Sequence, residues 1–228
     1  MDHHLSNPVW QALSSRQKQF NIGTNTVKFY PADIAPFVGL KNWDEHDMQD
    51  MMKNLPSSRS YSVMIAKNIS LPDNVKVVFT APLYQMYCSA FKPYLLESQQ
   101  VRTLTQEDVP LMISLTDKAK PGPFFKRTIE MGKYIGLFDG EKLVAMAGER
   151  LKVPGHTEIS AICTDPDYNG KGYASFLSTL ICQHVIAEGN IPILHVKSEN
   201  TRAIEVYKKL GFEISADVFF AIFRLPNS

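Results

Sequence analysis

Two glycines that separate a predicted strand from a long amphipathic helix constrain the fold of this chain more than any other feature. Residues 156–164 are predicted to form a strand, and Gly170 and Gly172 follow within a short turn. Apolar residues at helical spacing then continue to Gly189. Backbone N–H groups at such a helix start point outward, with the positive end of the helix dipole behind them. The turn therefore suits a phosphate or pyrophosphate.

Two other phosphate-binding motifs do not fit this turn. No pair of glycines five residues apart is followed by Lys and Ser or Thr, as a phosphate loop requires. Position 175 is Ser where a dinucleotide-binding turn has its third glycine. Nucleotide hydrolysis and dinucleotide binding are therefore disfavoured, and the segment alone leaves a purely structural turn open as the alternative.

The order of strands and helices over residues 101–225 predicts an α/β (α+β) fold with a mixed, mostly antiparallel central sheet flanked by helices. Asp139-Gly140 between two apolar runs indicates a hairpin, whereas the strand, helix and strand of residues 156–197 make a parallel crossover. We also predict a helix over residues 123–133 and a final pair of strands over residues 212–225.

The first part of the chain gives weaker signals. Apolar residues three to four apart, mostly methionines, predict a helix that Asn42 or Asp44 caps. Residues 61–65 and 75–79 are short apolar runs on either side of a turn-rich segment, which predicts a hairpin. No catalytic motif occurs in this region.

Composition and charge exclude several classes of protein. The chain is 44% hydrophobic and 21% charged, as globular proteins are, and its net charge of +1 argues against a nucleic-acid partner. No apolar run approaches the roughly 18 residues that span a bilayer, and no signal segment is recognisable, so we expect no membrane partner. Cys88, Cys163 and Cys182 fit neither a disulfide framework nor a zinc ligand set. His3 and His4 lack neighbouring ligands, and we expect a cytoplasmic protein without a metal.

Two motifs in register resemble one enzyme superfamily. Asn169-Gly170-Lys171-Gly172-Tyr173-Ala174 resembles the Gln/Arg-x-x-Gly-x-Gly/Ala signature of the GNAT acetyltransferases. At the expected distance, NTRAIEVYKKLGF over residues 200–212 is similar to their Asn-x-x-Ala-x-x-x-Tyr helix and Leu-Gly-Phe ending. Residues 158–164 and 194–196 most resemble the branch related to the C-terminal domain of glycine N-acyltransferase.

The resemblance implies acetyl-CoA as a cosubstrate. The amides of the glycine turn would receive its pyrophosphate, the preceding strand would pair with the pantetheine arm while the next strand splays away, and Asn200 would hold the cofactor from the other side. Asn169 stands where the family has Gln or Arg, so the backbone rather than this side chain is expected to bind. The predicted cofactor-binding residues are Ile162, Cys163, Thr164, Asn169, Gly170, Lys171, Gly172, Tyr173, Ala174 and Asn200.

The resemblance also implies an N-acetyltransferase that works by direct attack of an amine in a ternary complex. Such a reaction needs a proton donor for the departing thiolate and a base for the amine. Tyr207 stands at the position of the family's donor. Glu158 lies where the histone acetyltransferase branch has its base, and Glu149 on the preceding strand is the rival. Each also has a structural interpretation: Tyr207 as helix core and the two carboxylates as solvated strand residues.

Other chemistries and functions stay open to different degrees. His195 in an apolar strand fits a hydrogen-bonded core residue, and a covalent route through Cys163 is disfavoured because no histidine accompanies it in a motif. The alternatives are a non-catalytic acyl-CoA-binding or interaction module and a transferase for a longer acyl group.

The resemblance covers little more than half of the chain. We predict a GNAT N-acetyltransferase domain over residues 99–228 and an N-terminal helix-plus-hairpin region over residues 1–98, which is a candidate degenerate GNAT-like half. The expected partner is a small-molecule or peptide amine. The sequence does not select between a monomer and a homodimer.

Overall fold

A mixed eight-stranded sheet organises residues 3–97 and 100–226, the part of the chain that the computed structural model describes. The α-helices are α1 (His3–Ser6), α2 (Pro8–Ser14), α3 (Glu45–Asn54), α4 (Val109–Ala119), α5 (Tyr173–Ala187) and α6 (Thr201–Lys209). The strands are β1 (Val27–Phe29), β2 (Val38–Leu40), β3 (Ser60–Ile65), β4 (Lys76–Cys88), β5 (Val101–Thr103), β6 (Tyr134–Asp139), β7 (Lys142–Val153), β8 (His156–Thr164), β9 (Ile191–Lys197) and β10 (Phe212–Arg224).

The main sheet has the order β3-β10-β4-β9-β8-β7-β6-β5, and β1 and β2 form a small separate sheet. Only β8 and β9 pair in parallel among these strands, and every other neighbouring pair is antiparallel. The predicted fold class, a mostly antiparallel mixed sheet flanked by helices, is therefore confirmed.

Local signals place several elements where the sequence predicts them. The Asp44 side chain caps α3 by accepting a 2.9 Å hydrogen bond from the Asp47 amide. Thr105 and Asp108 form a reciprocal capping box just before α4. The hairpin of β6 and β7 turns at Gly140, whose φ of +57° suits glycine.

The N-terminal hairpin prediction is wrong. β3 and β4 follow each other in sequence, but β10 lies between them and pairs with both. β4 continues to Cys88 and pairs on its other edge with β9. Strands from both sides of the boundary predicted at residue 98 therefore belong to the same sheet.

Two further elements differ from their predictions. Residues 123–133 contain only a short 3₁₀ turn, Thr128–Met131, because prolines and a glycine precede it and Thr128 donates its hydroxyl to the Ile34 carbonyl. The predicted final pair of strands is the single strand β10. A register shift between Ile214 and Ala216 shows a bulge in place of a turn.

Helices cover both faces of the main sheet. α5 and α6 pack on one face, where Leu177, Ile181 and Ile204 share a core with Leu194. The adjacent strand residue, Ile193, belongs instead to the core that α2 covers on the opposite face. Within the described residues, no helix has the length and apolar character needed to cross a membrane.

Candidate functional site

β8 and β9 pair over only three residues. The last parallel pair is Glu158 with Ile193, and β8 then continues along β7 while β9 continues along β4. We call the paired end the strand vertex, and we call the unpaired stretch, residues 159–164 opposite residues 194–197, the strand opening. Its facing edges carry backbone N–H and C=O groups that are available to a ligand.

An irregularity in β8 accounts for the strand opening. Ala161 has a φ of +52°, a left-handed conformation that costs a non-glycine residue roughly 1–3 kcal/mol. The register of β8 against β7 shifts between Met146 and Gly148 beside it. Such bulges bend a strand and increase its twist, which turns β8 away from β9.

The glycine turn lies between the end of β8 and the start of α5. Gly170 and Gly172 have φ values of +82° and +80°, which favour glycine strongly. Open space surrounds the position that a Gly170 side chain would take, so a ligand can approach the backbone there. Within the described residues, the amides of residues 170–172 donate to no backbone or side-chain acceptor, and the first amides of α5 have no intrahelical acceptor.

Ionic contacts anchor the glycine turn to the β6–β7 hairpin and to α4. The buried Asp165 carboxylate lies 3.0 Å from Lys142 Nζ and 3.5 Å from Lys118 Nζ. The hydrogen bond from Lys142 lowers the pKa of Asp165 below its ordinary value. Lys171 extends over the Tyr168 ring at 4.7 Å, so one ammonium group stays beside the turn.

Tyr94, from the segment that connects β4 to β5, lies against the glycine turn. Its amide donates to Thr179 Oγ1 on α5 at 2.9 Å. Its phenol oxygen is 2.5 Å from the position that a Gly172 Cβ would occupy. The connecting segment thus brings a half-exposed aromatic side chain to the predicted pyrophosphate site.

The other predicted cofactor-binding residues do not all face the strand opening. Ile162 and Tyr173 pack partly buried on the α5 face, where the strand opening lies beside them. Cys163 points the other way into the core under α4, and burial raises the pKa of its thiol to about 12. Asn169 is exposed. Asn200 caps α6 by accepting from the Ala203 amide at 3.1 Å, so its Oδ1 already has a structural role.

Glu158 lies at the strand vertex in a buried ion pair. Arg150 donates to both of its oxygens, at 2.8 Å and 2.5 Å, and the Leu151 amide lies 3.3 Å from Oε2. Burial alone would raise the pKa of Glu158, but Arg150 and His195 together hold it well below its usual range. Glu158 would have to leave this ion pair before it could take a proton from a substrate.

His195 connects Glu158 to the N-terminal part of the chain. Its Nδ1 lies 2.7 Å from Glu158 Oε1, and its Nε2 lies 3.0 Å from the Gln85 side-chain nitrogen. Gln85 also donates to the Leu5 carbonyl at 2.9 Å. A neutral ring that donates from Nδ1 and accepts at Nε2 satisfies both contacts, and the His195 side chain is 1% exposed. This agrees with the interpretation of His195 as a hydrogen-bonded core residue.

Glu149, the rival carboxylate, lies on the other face of the sheet. It pairs with Ile159, which belongs to the core beneath α5, whereas the neighbouring Glu158 faces the N-terminal elements. Its Oε2 accepts from the Lys133 amide at 2.9 Å and lies 2.7 Å from Lys152 Nζ. The two candidate bases therefore cannot both face one substrate amine.

Tyr207 is mostly enclosed between α6 and the sheet. Its ring packs 6.0 Å from that of Phe212, and it joins the same core as Ile162 of the strand opening. Burial, with a smaller effect of Cys182, raises the pKa of Tyr207 to about 12. The phenol therefore keeps its proton at neutral pH and can act as a donor.

Sequence reasoning missed Arg150, Gln85, Tyr94 and Tyr134 at this site. The Tyr134 ring packs against Gly148, where a Cβ would be 2.1 Å from it, and its buried hydroxyl has no hydrogen-bond partner among the described residues. A charged pair, Glu149-Arg150, within an apolar strand was an available signal for Arg150. Gln85 and Tyr94 carry no local signal, since only the tertiary fold brings them to β9 and α5.

Comparisons with known proteins agree with this architecture. The FR47-like protein family model matches residues 134–220, which include the strand opening and the glycine turn. Over 80 residues the chain is 34% identical to the mycothiol acetyltransferase of Corynebacterium glutamicum (strain R), a stretch that covers 35% of this chain and only 27% of that relative.

Solved structures extend the likeness over the whole chain. A GNAT-family protein from Novosphingobium aromaticivorans DSM 12444 superimposes with a TM-score of 0.90 at 27% identity, covering 99% of this chain and 100% of that one. A GCN5-related N-acetyltransferase from Kribbella flavida shares the fold at 13% identity, with a TM-score of 0.63 and 96% coverage of each chain. The unpaired β8–β9 edges and the glycine turn therefore belong to a fold that this chain shares with solved GNAT-family structures.

Proposed function

We propose that this protein is an acetyl-CoA-dependent N-acetyltransferase that transfers the acetyl group directly to an amine. The observation that carries the proposal is the continuity of the strand opening with the glycine turn. The strand opening supplies unpaired strand edges, and the glycine turn supplies unpaired amides at the start of α5. Acetyl-CoA would supply the activated thioester at this site.

The residues around the turn fit such a cosubstrate. The extended edge of residues 162–164 can hydrogen-bond an amide-containing arm, and the amides of residues 170–174 can bind a pyrophosphate with Lys171 as the nearby cation. The open space beside Gly170 lets phosphate oxygens approach the backbone. Asn200, whose Oδ1 caps α6, can contribute only its amide nitrogen without losing that cap.

In this proposal Tyr207 is the proton donor to the departing thiolate. Its raised pKa of about 12 keeps the phenol protonated near neutral pH. A positioned general acid typically contributes 10²–10⁴-fold to the rate. Tyr207 would therefore help the thiolate to leave without itself being titrated in the working pH range.

The structure makes Glu158 a weaker candidate for the general base than the sequence suggests. Arg150 and His195 both contact the Glu158 carboxylate. We therefore assign Glu158 a positioning role, in which it holds β8 and β9 together where the strand opening begins. Glu149 is a candidate base only for an amine that binds on the α5 face of the sheet. The prediction that one of them accepts the proton, directly or through water, stays a prediction.

We also propose that residues 1–98 help to enclose the acceptor side. Residues 120–127, which follow α4, contact the N-terminal segment, where the Arg127 amide donates to the Asp33 carbonyl at 2.9 Å. A chain that begins at residue 99 would lack β4, which pairs with β9. Full activity and unchanged acceptor preference in that shortened chain would contradict this part of the proposal.

A thiol-release assay tests the central proposal. The purified protein is incubated with acetyl-CoA and a panel of amines that includes amino acids, polyamines, aminosugars and peptide N-termini. Turnover with at least one amine is expected, and a Tyr207→Phe variant should be slower. Tight acetyl-CoA binding without thiol release from any amine would favour a non-catalytic module, which the likeness to acetyltransferases does not favour.

The branch resemblance to glycine N-acyltransferase adds one proposal about the donor, namely that an acyl group longer than acetyl is also accepted. Comparing turnover with acetyl-, butyryl- and benzoyl-CoA tests it. A steep fall from acetyl to butyryl would restrict the enzyme to acetyl transfer.

A further inference from the structure

A separate group of metal-binding side chains lies at the far end of α5 from the glycine turn. Glu149 of β7 meets His184 in the last turn of α5 and Glu188 just after it. His184 Nε2 lies 3.6 Å from Glu149 Oε1 and 3.3 Å from Glu188 Oε1. We propose that these three side chains form a zinc site that fastens the end of α5 to the sheet.

A buried, unpartnered carboxylate oxygen points to an ion at this position. The Glu149 side chain is 0% exposed, and its Oε2 is satisfied by the Lys133 amide and Lys152. Its Oε1 faces His184 and has no hydrogen-bond partner among the described residues. A buried anionic oxygen without a partner is costly, and a cation bound between Oε1 and the imidazole would remove that cost.

The spacing of the ligand atoms suits tetrahedral zinc. Bonds of about 2.0–2.2 Å to nitrogen and oxygen place neighbouring tetrahedral ligands about 3.3–3.5 Å apart. The two measured separations, 3.3 and 3.6 Å, fall close to that range, and all three ligand atoms lie within 4.8 Å of one another. Little rearrangement is therefore needed for His184 and Glu188 to bind the same ion.

The surroundings favour a transition-metal cation. His184 and Glu188 are four residues apart and share one face of the helix, whose C-terminal end attracts positive charge. An imidazole with carboxylates suits zinc better than magnesium or calcium, which prefer oxygen ligands. Lys152 contacts only the other oxygen of Glu149, so it orients the carboxylate as outer partners of ligands commonly do. His184 and Glu188 are 29% and 39% exposed, so water can reach a bound ion as a fourth ligand.

A second group of similar composition serves as a control. Asp44, His46 and Asp47 also lie close together, but Asp44 is the N-cap of α3 and the other two belong to its first turn. The Asp44 carboxylate caps that helix, and the His46 side chain is 78% exposed. Asp47 Oδ1 is also buried without a hydrogen-bond partner among the described residues, but it faces only the exposed His46 of its own helix. Of the two groups, the α5 site is the one that takes its ligands from two packed elements.

The test uses the full-length protein, stripped of metal with a chelator and titrated with ZnCl₂ by calorimetry. One zinc per chain is expected at the site, and Co²⁺ in its place should give the intense visible absorption of a four-coordinate ion. His184→Ala should weaken zinc binding by more than about 100-fold, Glu188→Gln should weaken it by at least about 10-fold, and His46→Ala should leave it unchanged.

Thermal unfolding provides the second measurement. Zinc should raise the melting temperature of the wild-type protein and of His46→Ala but not that of His184→Ala, because an ion stabilises only the state that binds it. His184 and Glu188 are partly exposed, so both variants should fold. If His184→Ala does not fold, Glu188→Gln alone tests whether these side chains bind zinc. Absence of zinc binding, or binding by both α5 variants as tight as that of the wild-type protein, would overturn the proposal. His184 would then be only a polar contact between Glu149 and Glu188.

Discussion

The two ends of the β8–β9 pair differ in almost every physical property. At the strand vertex, Glu158, Arg150 and His195 are enclosed and each polar atom of the carboxylate has a protein partner. At the strand opening, the facing backbone edges of β8 and β9 and the amides of residues 170–172 have no partner among the described residues. Residues with satisfied polar groups hold structure, and residues with free polar groups are available to a ligand. This difference predicts that changes at the vertex alter stability and that changes at the opening alter kinetics.

The largest expected effect is on stability at the vertex. Glu158→Ala leaves the largely buried Arg150 guanidinium without its carboxylate partner, and removing one member of a buried ion pair costs about 3–5 kcal/mol. Urea unfolding followed by circular dichroism measures this loss. The matched control is Glu199→Ala, because that carboxylate is 80% exposed and its contact with Lys197 spans 3.9 Å, so a change within about 0.5 kcal/mol is expected.

The same ion pair predicts a pH dependence of folding. The pKa of Glu158 is lowered in the folded state, so its contribution to stability is complete above the unfolded value of about 4.3 and declines as the pH falls below that value. The wild-type protein should lose stability between pH 5 and pH 3 more steeply than Glu158→Ala. Parallel pH profiles for the two proteins would show that Glu158 is not held as an ion pair.

The second effect is kinetic and concerns Tyr207. Tyr207→Phe keeps the packing against Phe212 and removes only the hydroxyl, so kcat should fall about 100-fold with little change in the free energy of unfolding. Single-turnover thiol release separates this chemical step from acetyl-CoA binding. The control is Tyr61→Phe, a buried tyrosine whose hydroxyl donates to the Pro56 carbonyl far from β8. Equal loss of kcat in both variants would mean that Tyr207 acts through packing alone.

The sequence predicted the strand opening better than the vertex, and the reason is the range of the interactions. Gly170 and Gly172 are needed for a local backbone conformation, and their spacing from the Asn200–Tyr207 helix is visible along the chain. The vertex depends on contacts between distant segments, such as Gln85 with His195. No local pattern marks such pairs, so Glu158 could be picked out, and the charge of Arg150 within an apolar strand marks that residue without showing that Glu158 is its partner.

The fold was predictable to a similar degree and for a similar reason. Caps, the Gly140 hairpin and the long helix α5 follow from local residue chemistry, and each appears within a few residues of its prediction. The insertion of β10 between β3 and β4 pairs residues more than one hundred positions apart. The sequence pattern of a single strand does not show which distant strand it pairs with. Ala161 was missed because its left-handed backbone is imposed by the bulge and not by its own preference.

A smaller effect is expected from adding a methyl group to the glycine turn. Gly172→Ala places a Cβ 2.5 Å from the Tyr94 hydroxyl and forces alanine into a φ of +80°, for a loss of about 1–2 kcal/mol in stability and a higher KM for acetyl-CoA. Gly170→Ala is the matched control, because it has almost the same φ of +82° but open space around its Cβ. A Tyr94→Ala change should remove the excess cost of Gly172→Ala over Gly170→Ala, and failure to do so would place the conflict elsewhere.

The smallest effect is expected from Tyr94 itself. Its ring lies beside the glycine turn and is 40% exposed, so Tyr94→Ala should remove a contact to the bound cofactor without disturbing the core. We expect KM for acetyl-CoA to rise several-fold with kcat nearly unchanged, which corresponds to less than about 1.4 kcal/mol. Tyr87→Ala is the control, because Tyr87 pairs with Ile193 at the vertex and should affect stability more than KM. An unchanged KM in Tyr94→Ala would mean that the connecting segment only borders the strand opening, whereas a lower KM would show that Tyr94 obstructs it.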